Sequence, residues 1–123
     1  MTEDTSAQRD GFDAGELIEL GELTIRSVRE GAVHTVALTR ELDLLTADEV
    51  DRQLVRAEAT DAESIVLDLS GLTFMDSTGV RLVVNANARS RADAGRLTLR
   101  RGQAAVQRVM ELSGVATLLP FED

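Results

Sequence analysis

Ser64-Ile65-Val66-Leu67-Asp68-Leu69-Ser70-Gly71-Leu72-Thr73-Phe74-Met75-Asp76-Ser77-Thr78-Gly79-Val80 is the stretch that decides how this chain folds. Its first six residues are a short apolar run with β-branched members, stopped by Ser70-Gly71, and they predict a buried strand. From Val80 to Ala94 the pattern predicts a helix, with Val80, Val83, Val84 and Ala88 on one side and Gly95 as its C′ residue. The junction between them presents two adjacent hydroxyls, Ser77 and Thr78, beside the carboxylate of Asp76. Asp, Ser and Thr are all preferred N-caps, so Asp76 or Ser77 can close the helix start, while Gly79 allows close approach of backbone. One cap needs one side chain, yet three polar residues stand in a row. Phe74 and Met75 before them either pack inward or form an exposed apolar patch, and such a patch beside a hydroxyl suits protein docking.

Working toward the N-terminus, Thr46-Ala47-Asp48-Glu49 has the spacing of a capping box, with Thr46 as N-cap and Glu49 reaching back. Ala47, Val50, Leu54 and Ala57 then recur at steps of three and four, one apolar helix stripe. Leu23 to Val28 and Val33 to Thr39 alternate apolar and polar residues around a turn at Arg29-Glu30-Gly31, and read as a hairpin. Residues 1–20 are polar and acidic and read as a mobile arm, with Leu17, Ile18 and Leu20 able to pack on a neighbour. The remaining 21–123 form the domain. Toward the C-terminus, Arg96 to Arg100 alternates as a strand. A helix with Val106, Val109 and Met110 inward follows, stopped by Gly114, and Ala116 to Leu119 reads as a short last strand. The order after the hairpin, strands separated by helix-length segments, predicts a single α/β domain: a mixed, mostly parallel sheet of 4–5 strands with helices packed against it. Loops at the carboxyl ends of such strands carry the sites, and Gly71 to Gly79 is one of them.

Composition narrows the chemistry. The 123 residues carry a net charge of −9 and no cysteine, and all 13 basic residues are arginine. That acidity disfavours nucleic acid, whose affinity rests on basic side chains meeting phosphates. Without cysteine there are no disulfides or thiolate ligands, which fits the cytoplasm. No apolar stretch reaches the roughly 20 residues needed to cross a bilayer, so no membrane role is expected. The one histidine, His34, lies on a predicted strand, no Gly-x-Ser-x-Gly surrounds Ser77, and no phosphate-cradling glycine motif occurs. Asp43, Asp68 and Asp76 form no recognised metal-ligand spacing, and Asp68 suits a backbone bond at a strand end. Neither an enzyme nor a cofactor or metal protein is expected.

Ser70 to Gly79 resembles the signature of STAS domains, specifically bacterial anti-sigma factor antagonists. Glu41-Leu42-Asp43-Leu44-Leu45-Thr46-Ala47 is similar to that family's Gly-Glu-Leu-Asp-x-x-Thr-Ala element, and the likeness runs from about Glu22 to Phe121. The resemblance implies a transcription regulator working by partner switching. The unphosphorylated antagonist binds an anti-sigma factor that is also a serine protein kinase and releases a sigma factor. Phosphorylation of the serine matching Ser77 ends the binding, and a metal-dependent serine phosphatase restores it. It also implies a partner-binding set of Asp43, Thr46, Phe74, Met75, Asp76, Ser77, Thr78, Gly79 and Arg81. The alternative within the same fold is a STAS scaffold or ligand-sensing module with no phosphorylation cycle. Arg40 departs from the pattern, standing where the family has glycine. Arginine disfavours a positive φ, so the expectation is a turn of changed geometry before Glu41.

Overall fold

Residues 15–122 are described by a computed structural model. Five strands form one sheet in the order β1-β2-β3-β4-β5: β1 (Glu16–Leu20), β2 (Leu23–Glu30), β3 (Val33–Leu42), β4 (Ser64–Met75) and β5 (Leu97–Arg100). The β1–β2 and β2–β3 pairs are antiparallel, and the β3–β4 and β4–β5 pairs are parallel. The sheet is therefore mixed in equal parts. Its parallel half arises because α1 (Ala47–Glu58) joins β3 to β4 and α2 (Ser77–Ala92) joins β4 to β5. The third helix, α3 (Ala104–Leu112), follows β5.

One apolar core unites the sheet and the helices. Leu23 and Ile25 of β2, Val36, Leu38 and Leu42 of β3, and Ile65, Leu67 and Leu69 of β4 meet the predicted α1 stripe of Ala47, Val50, Leu54 and Ala57. Val106 and Met110 of α3 complete it. The α2 stripe is rotated from the expected one. Val80 and Val83 are buried, but Leu82 and Ala86 join them, whereas Ala88 is exposed. The helix starts three residues earlier than the pattern of valines suggested, and its flanks press on both β4 and β5.

Three further expectations change. Of the arm drawn over residues 1–20, residues 1–14 lie outside the described part, while Glu16–Leu20 form the edge strand β1 on β2. Its register sets Ile18 opposite Ile25, at the rim of the core. The last strand, expected at Ala116 to Leu119, is a 3-10 turn over Ala116–Leu118. Only Phe121 bridges to Leu99, because the chain turns away before it can pair over any length. Most consequentially, β4 does not stop at Ser70-Gly71 but runs on to Met75.

The extension is possible because β4 carries two more residues than the strand it pairs with. Pairing runs from Val33↔Ser64 to Ala37↔Asp68, slips to Thr39↔Gly71, and slips again between Arg40↔Leu72 and Glu41↔Phe74. Each extra residue reverses which side faces the core, so the inward positions step from Leu69 to Leu72 to Met75 at intervals of three. Gly71 sits where β3 leaves no room for a side chain. A Cβ there would collide with the Thr39 side chain and lie 2.8 Å from the carbonyl oxygen of Leu38. Arg40, between the two slips, has φ 81°, so the expected change of geometry does not occur. The arginine keeps the conformation that favours glycine. It is pinned from both sides: Glu41 N donates to Glu22 O at 2.8 Å, and Thr73 Oγ1 donates to Arg40 O at 3.0 Å. The exposed guanidinium pairs with the Glu22 carboxylate at 2.8 Å, which offsets little.

His34 faces the helix side near the start of β3, its Nε2 2.7 Å from Ser27 Oγ and its Nδ1 buried without a partner. Burial, with Arg29 and Arg56 adding repulsion, holds its pKa below the ordinary 6.5.

Two outcomes follow from these strained and buried groups. Arg40→Gly relieves a left-handed arginine, and after the entropy cost of glycine and the lost surface ion pair it should gain about 1 kcal/mol, a rise in Tm of about 4 °C. A calorimetric scan showing no rise would mean the turn carries no strain. His34 binds its proton more readily when unfolded, so its contribution to stability is complete above pH 6.5 and is lost as pH falls through the lower folded value. Denaturant unfolding at pH 7.5 and 5.5 should therefore show a loss of stability on acidification that is smaller in His34→Gln.

Candidate functional site

The two bulges deliver the end of β4 beside the end of β3, where Asp76 N donates to Leu42 O at 3.4 Å. Two loops meet there: Asp43 to Thr46, entering α1, and Asp76, entering α2. Asp76 has extended backbone, φ −101° and ψ −171°, and its Oδ1 accepts from Thr78 N at 2.9 Å and Gly79 N at 3.3 Å. Of the two possible caps, Asp76 is the one used. Ser77 is the first helical residue, exposed, and its hydroxyl takes no part in capping. Thr78 is half-buried.

Gly79 and Met75 form the floor. Met75 is 2% exposed, so of the pair Phe74-Met75 the methionine packs inward. A Cβ at Gly79 would collide with Met75 Cγ and lie 2.9 Å from its Sδ and 3.1 Å from Leu42 Cδ2, so the start of α2 can settle on β4 only without a side chain. Phe74 points the other way and is 46% exposed.

The loop before α1 is built differently from a capping box. Thr46 occupies the N-cap position, but its side chain makes no cap bond, and Glu49 turns to Gln53 and Arg52 instead. Only 3% exposed, Thr46 faces back into the loop. Its Oγ1 accepts from Asp43 N at 3.1 Å and donates toward Asp43 Oδ1 at 3.2 Å, while Asp43 Oδ1 also accepts from Leu45 N at 3.0 Å. With both polar side chains spent on the loop itself, Leu44 and Leu45 are held outward, 71% and 83% exposed.

The expected site residues thus separate by depth into three groups. Ser77, Phe74 and Arg81 are at the surface; Thr46, Met75 and Gly79 are interior and hold the others in place; Asp43, Asp76 and Thr78 lie between. Leu44 and Leu45, exposed in the loop that enters α1, were not among the expected residues. The signal that could have found them is two consecutive leucines between an Asp and a Thr that bond each other, which leaves no room for both leucines inside. His34 lies eight residues back along β3 from Leu42, roughly 26 Å away at strand rise, too far to activate Ser77. Asp68, as expected, bonds backbone at Ser70 N, 2.9 Å, and pairs with Arg100 on the other sheet face at 3.2 Å. No group of acidic and histidine side chains suited to a metal ion occurs among the described residues.

Comparison with known proteins places this arrangement. The STAS domain family model matches residues 24–123. An anti-sigma F factor antagonist of Paenibacillus polymyxa is 30% identical over 102 residues, covering 82% of this chain and 87% of its own. The crystal structure of an anti-sigma factor antagonist from Mycobacterium paratuberculosis has the same fold, with a TM-score of 0.71 at 20% identity over 80% of this chain and 84% of that one. The Bacillus cell fate determinant SpoIIAA shares it too. Its unphosphorylated form gives a TM-score of 0.62 at 22% identity, covering 89% of both chains. Its phosphorylated form gives 0.57 at 23%, covering 89% of this chain and 92% of that one.

The cap assignment separates neighbouring side chains. Asp76→Ala should lower stability by about 1 kcal/mol, a fall of about 4 °C in Tm, whereas Ser77→Ala should melt with the wild type. A substantial loss in Ser77→Ala would mean that the serine hydroxyl supports the helix start after all.

Proposed function

The chain belongs to the STAS domain family, and from that membership we propose that it is an anti-sigma factor antagonist whose binding is switched off by phosphorylation at Ser77. One observation carries the reading: an exposed serine hydroxyl, relieved of capping by its neighbour Asp76, stands at the end of the sheet that also exposes Leu44, Leu45 and Phe74. Apolar side chains held out from the surface stabilise a complex by leaving water. A kinase needs a hydroxyl it can reach, and Ser77 is the reachable one of the two at this junction. The resting form binds an anti-sigma factor that is itself a serine kinase, and a sigma factor is released. The kinase then modifies Ser77, and a metal-dependent serine phosphatase resets it. All of this takes place in the cytoplasm, and no helix among the described residues is long and apolar enough to cross a membrane.

Physics makes the phosphate a switch of binding rather than of folding. It adds about −1.5 to −2 charges and three acceptor oxygens at a helix start, which the helix dipole tolerates. A partner packed against Leu44, Leu45 and Phe74 would have to desolvate that charge, and burying it unpaired is costly. Thr46, Met75 and Gly79 act from beneath by fixing the two loops, and Arg81 lies on the docking face.

With the partner kinase and ATP, fragment-ion mapping should find one phosphate, on Ser77. A phosphate on Thr78, or none with a proven partner, would falsify the assignment. Ser77→Asp and Ser77→Glu should melt within a few degrees of wild type yet bind the anti-sigma factor at least tenfold more weakly, while Ser77→Ala binds and resists modification. Leu45→Ser should weaken binding without loss of stability. Equal affinities throughout would remove this face from the interface.

A further inference from the structure

A phosphate on Ser77 would find the start of α2 already occupied. The amides of Thr78 and Gly79, which an anion at a helix N-terminus would take, donate to Asp76 Oδ1 at 2.9 and 3.3 Å. The Asp76 carboxylate next to it, with Glu41 at the end of β3 and Asp43 in the loop after it, makes the surroundings anionic. A compensating cation lies one turn along. Arg81 follows Ser77 by four residues, a spacing that sets Cβ atoms about 5–6 Å apart on one helix face. Side chains on a helix lean toward its N-terminus, so the long arginine reaches back over the turn that holds Ser77. Both residues are exposed. Arg81, like Arg26, Arg91, Arg101 and Arg108, takes part in no ion pair among the described residues, so no carboxylate there already holds its guanidinium.

We propose that phosphoserine at position 77 captures Arg81 in a charge-assisted pair within α2, so that modification also withdraws the arginine from the docking face. This rests on the reading of Ser77 as the modified residue. Acid N-terminal to base at this spacing is the favourable orientation on a helix, and a guanidinium meets phosphate oxygens with two parallel N–H donors. The modification then changes the face twice. It sets a dianion beside the exposed leucines, and it occupies the cation that a carboxylate of the anti-sigma factor would otherwise meet. A partner that binds the unmodified form through an acidic group loses that contact at the same moment as it meets the new charge.

The test builds phosphoserine into position 77 during translation, so it needs no kinase. Phosphorus NMR titration then follows the second ionisation of the phosphate in the wild-type background, in Arg81→Lys and in Arg81→Gln. Pairing with the guanidinium favours the dianion, so the midpoint should lie about half a pH unit lower in the wild type than in Arg81→Gln, with Arg81→Lys between them. Equal midpoints in the wild type and Arg81→Gln would overturn the proposal, and so would a higher one in the wild type. Failure of a kinase to modify Ser77 would count against the proposed function and leave this pairing untouched.

Discussion

The parallel pairing of β3 with a longer β4 is the constraint on which the rest of this structure depends. Two residues more on β4 than on its partner cannot be absorbed without bulges, and the bulges are bought by a left-handed Arg40 and a side-chain-free Gly71. In return the strand stays paired as far as Met75 and keeps Leu69, Leu72 and Met75 inward at steps of three. Had β4 ended at Ser70, the start of α2 would have no fixed relation to the start of α1. The paired ends, Leu42 and Met75, are what bring the two loops together.

At that junction adjacent side chains divide the labour. A carboxylate is the stronger partner for two helix N–H groups because its bonds are charge-assisted, and Asp76 takes that place. The serine after it is left with a hydroxyl that has no structural duty. Behind the other loop, Asp43 and Thr46 satisfy each other and the backbone, and two leucines that would ordinarily seek the core stay in water. Both loops show one economy: polar groups are spent internally so that chemically useful ones remain outside. A surface arranged this way can gain a phosphate without disturbing the packing beneath it, because Met75, Gly79 and Thr46 are sealed off from it.

Much of this was legible in the sequence. Period-two alternation in Leu23 to Val28 and Val33 to Thr39 is a local property, and the hairpin formed. So is the stripe of Ala47, Val50, Leu54 and Ala57, which packs inward as the spacing requires. The junction with Ser77 could be picked out by its run of polar residues behind an apolar strand. Bulges are less visible, because apolar residues at 69, 72 and 75 fit neither a strand period nor a complete helix period. The same holds for Arg40, whose left-handed backbone no rule of local preference would choose.

The sequence by itself determined the α/β class, the single core, the order of its main elements and the place where a hydroxyl meets a helix start. These follow from short-range periodicity and from caps that act within a few residues. Only the tertiary structure decided that β1 joins the edge of the sheet, that Asp76 rather than Ser77 is the cap, and that Leu44, Leu45 and Phe74 are left exposed. The exposure of those leucines depends on residues far apart in the chain, Leu42 against Met75 and Thr39 against Gly71. The edge strand rests on a short hairpin, Ile18 against Ile25, and the cap on the extended backbone that the end of β4 gives Asp76, whose carboxylate then meets the amides of Thr78 and Gly79. A side chain's exposure is fixed by what the rest of the fold leaves uncovered. In this chain that was settled by the slip between two strands, which no window of neighbouring residues contains.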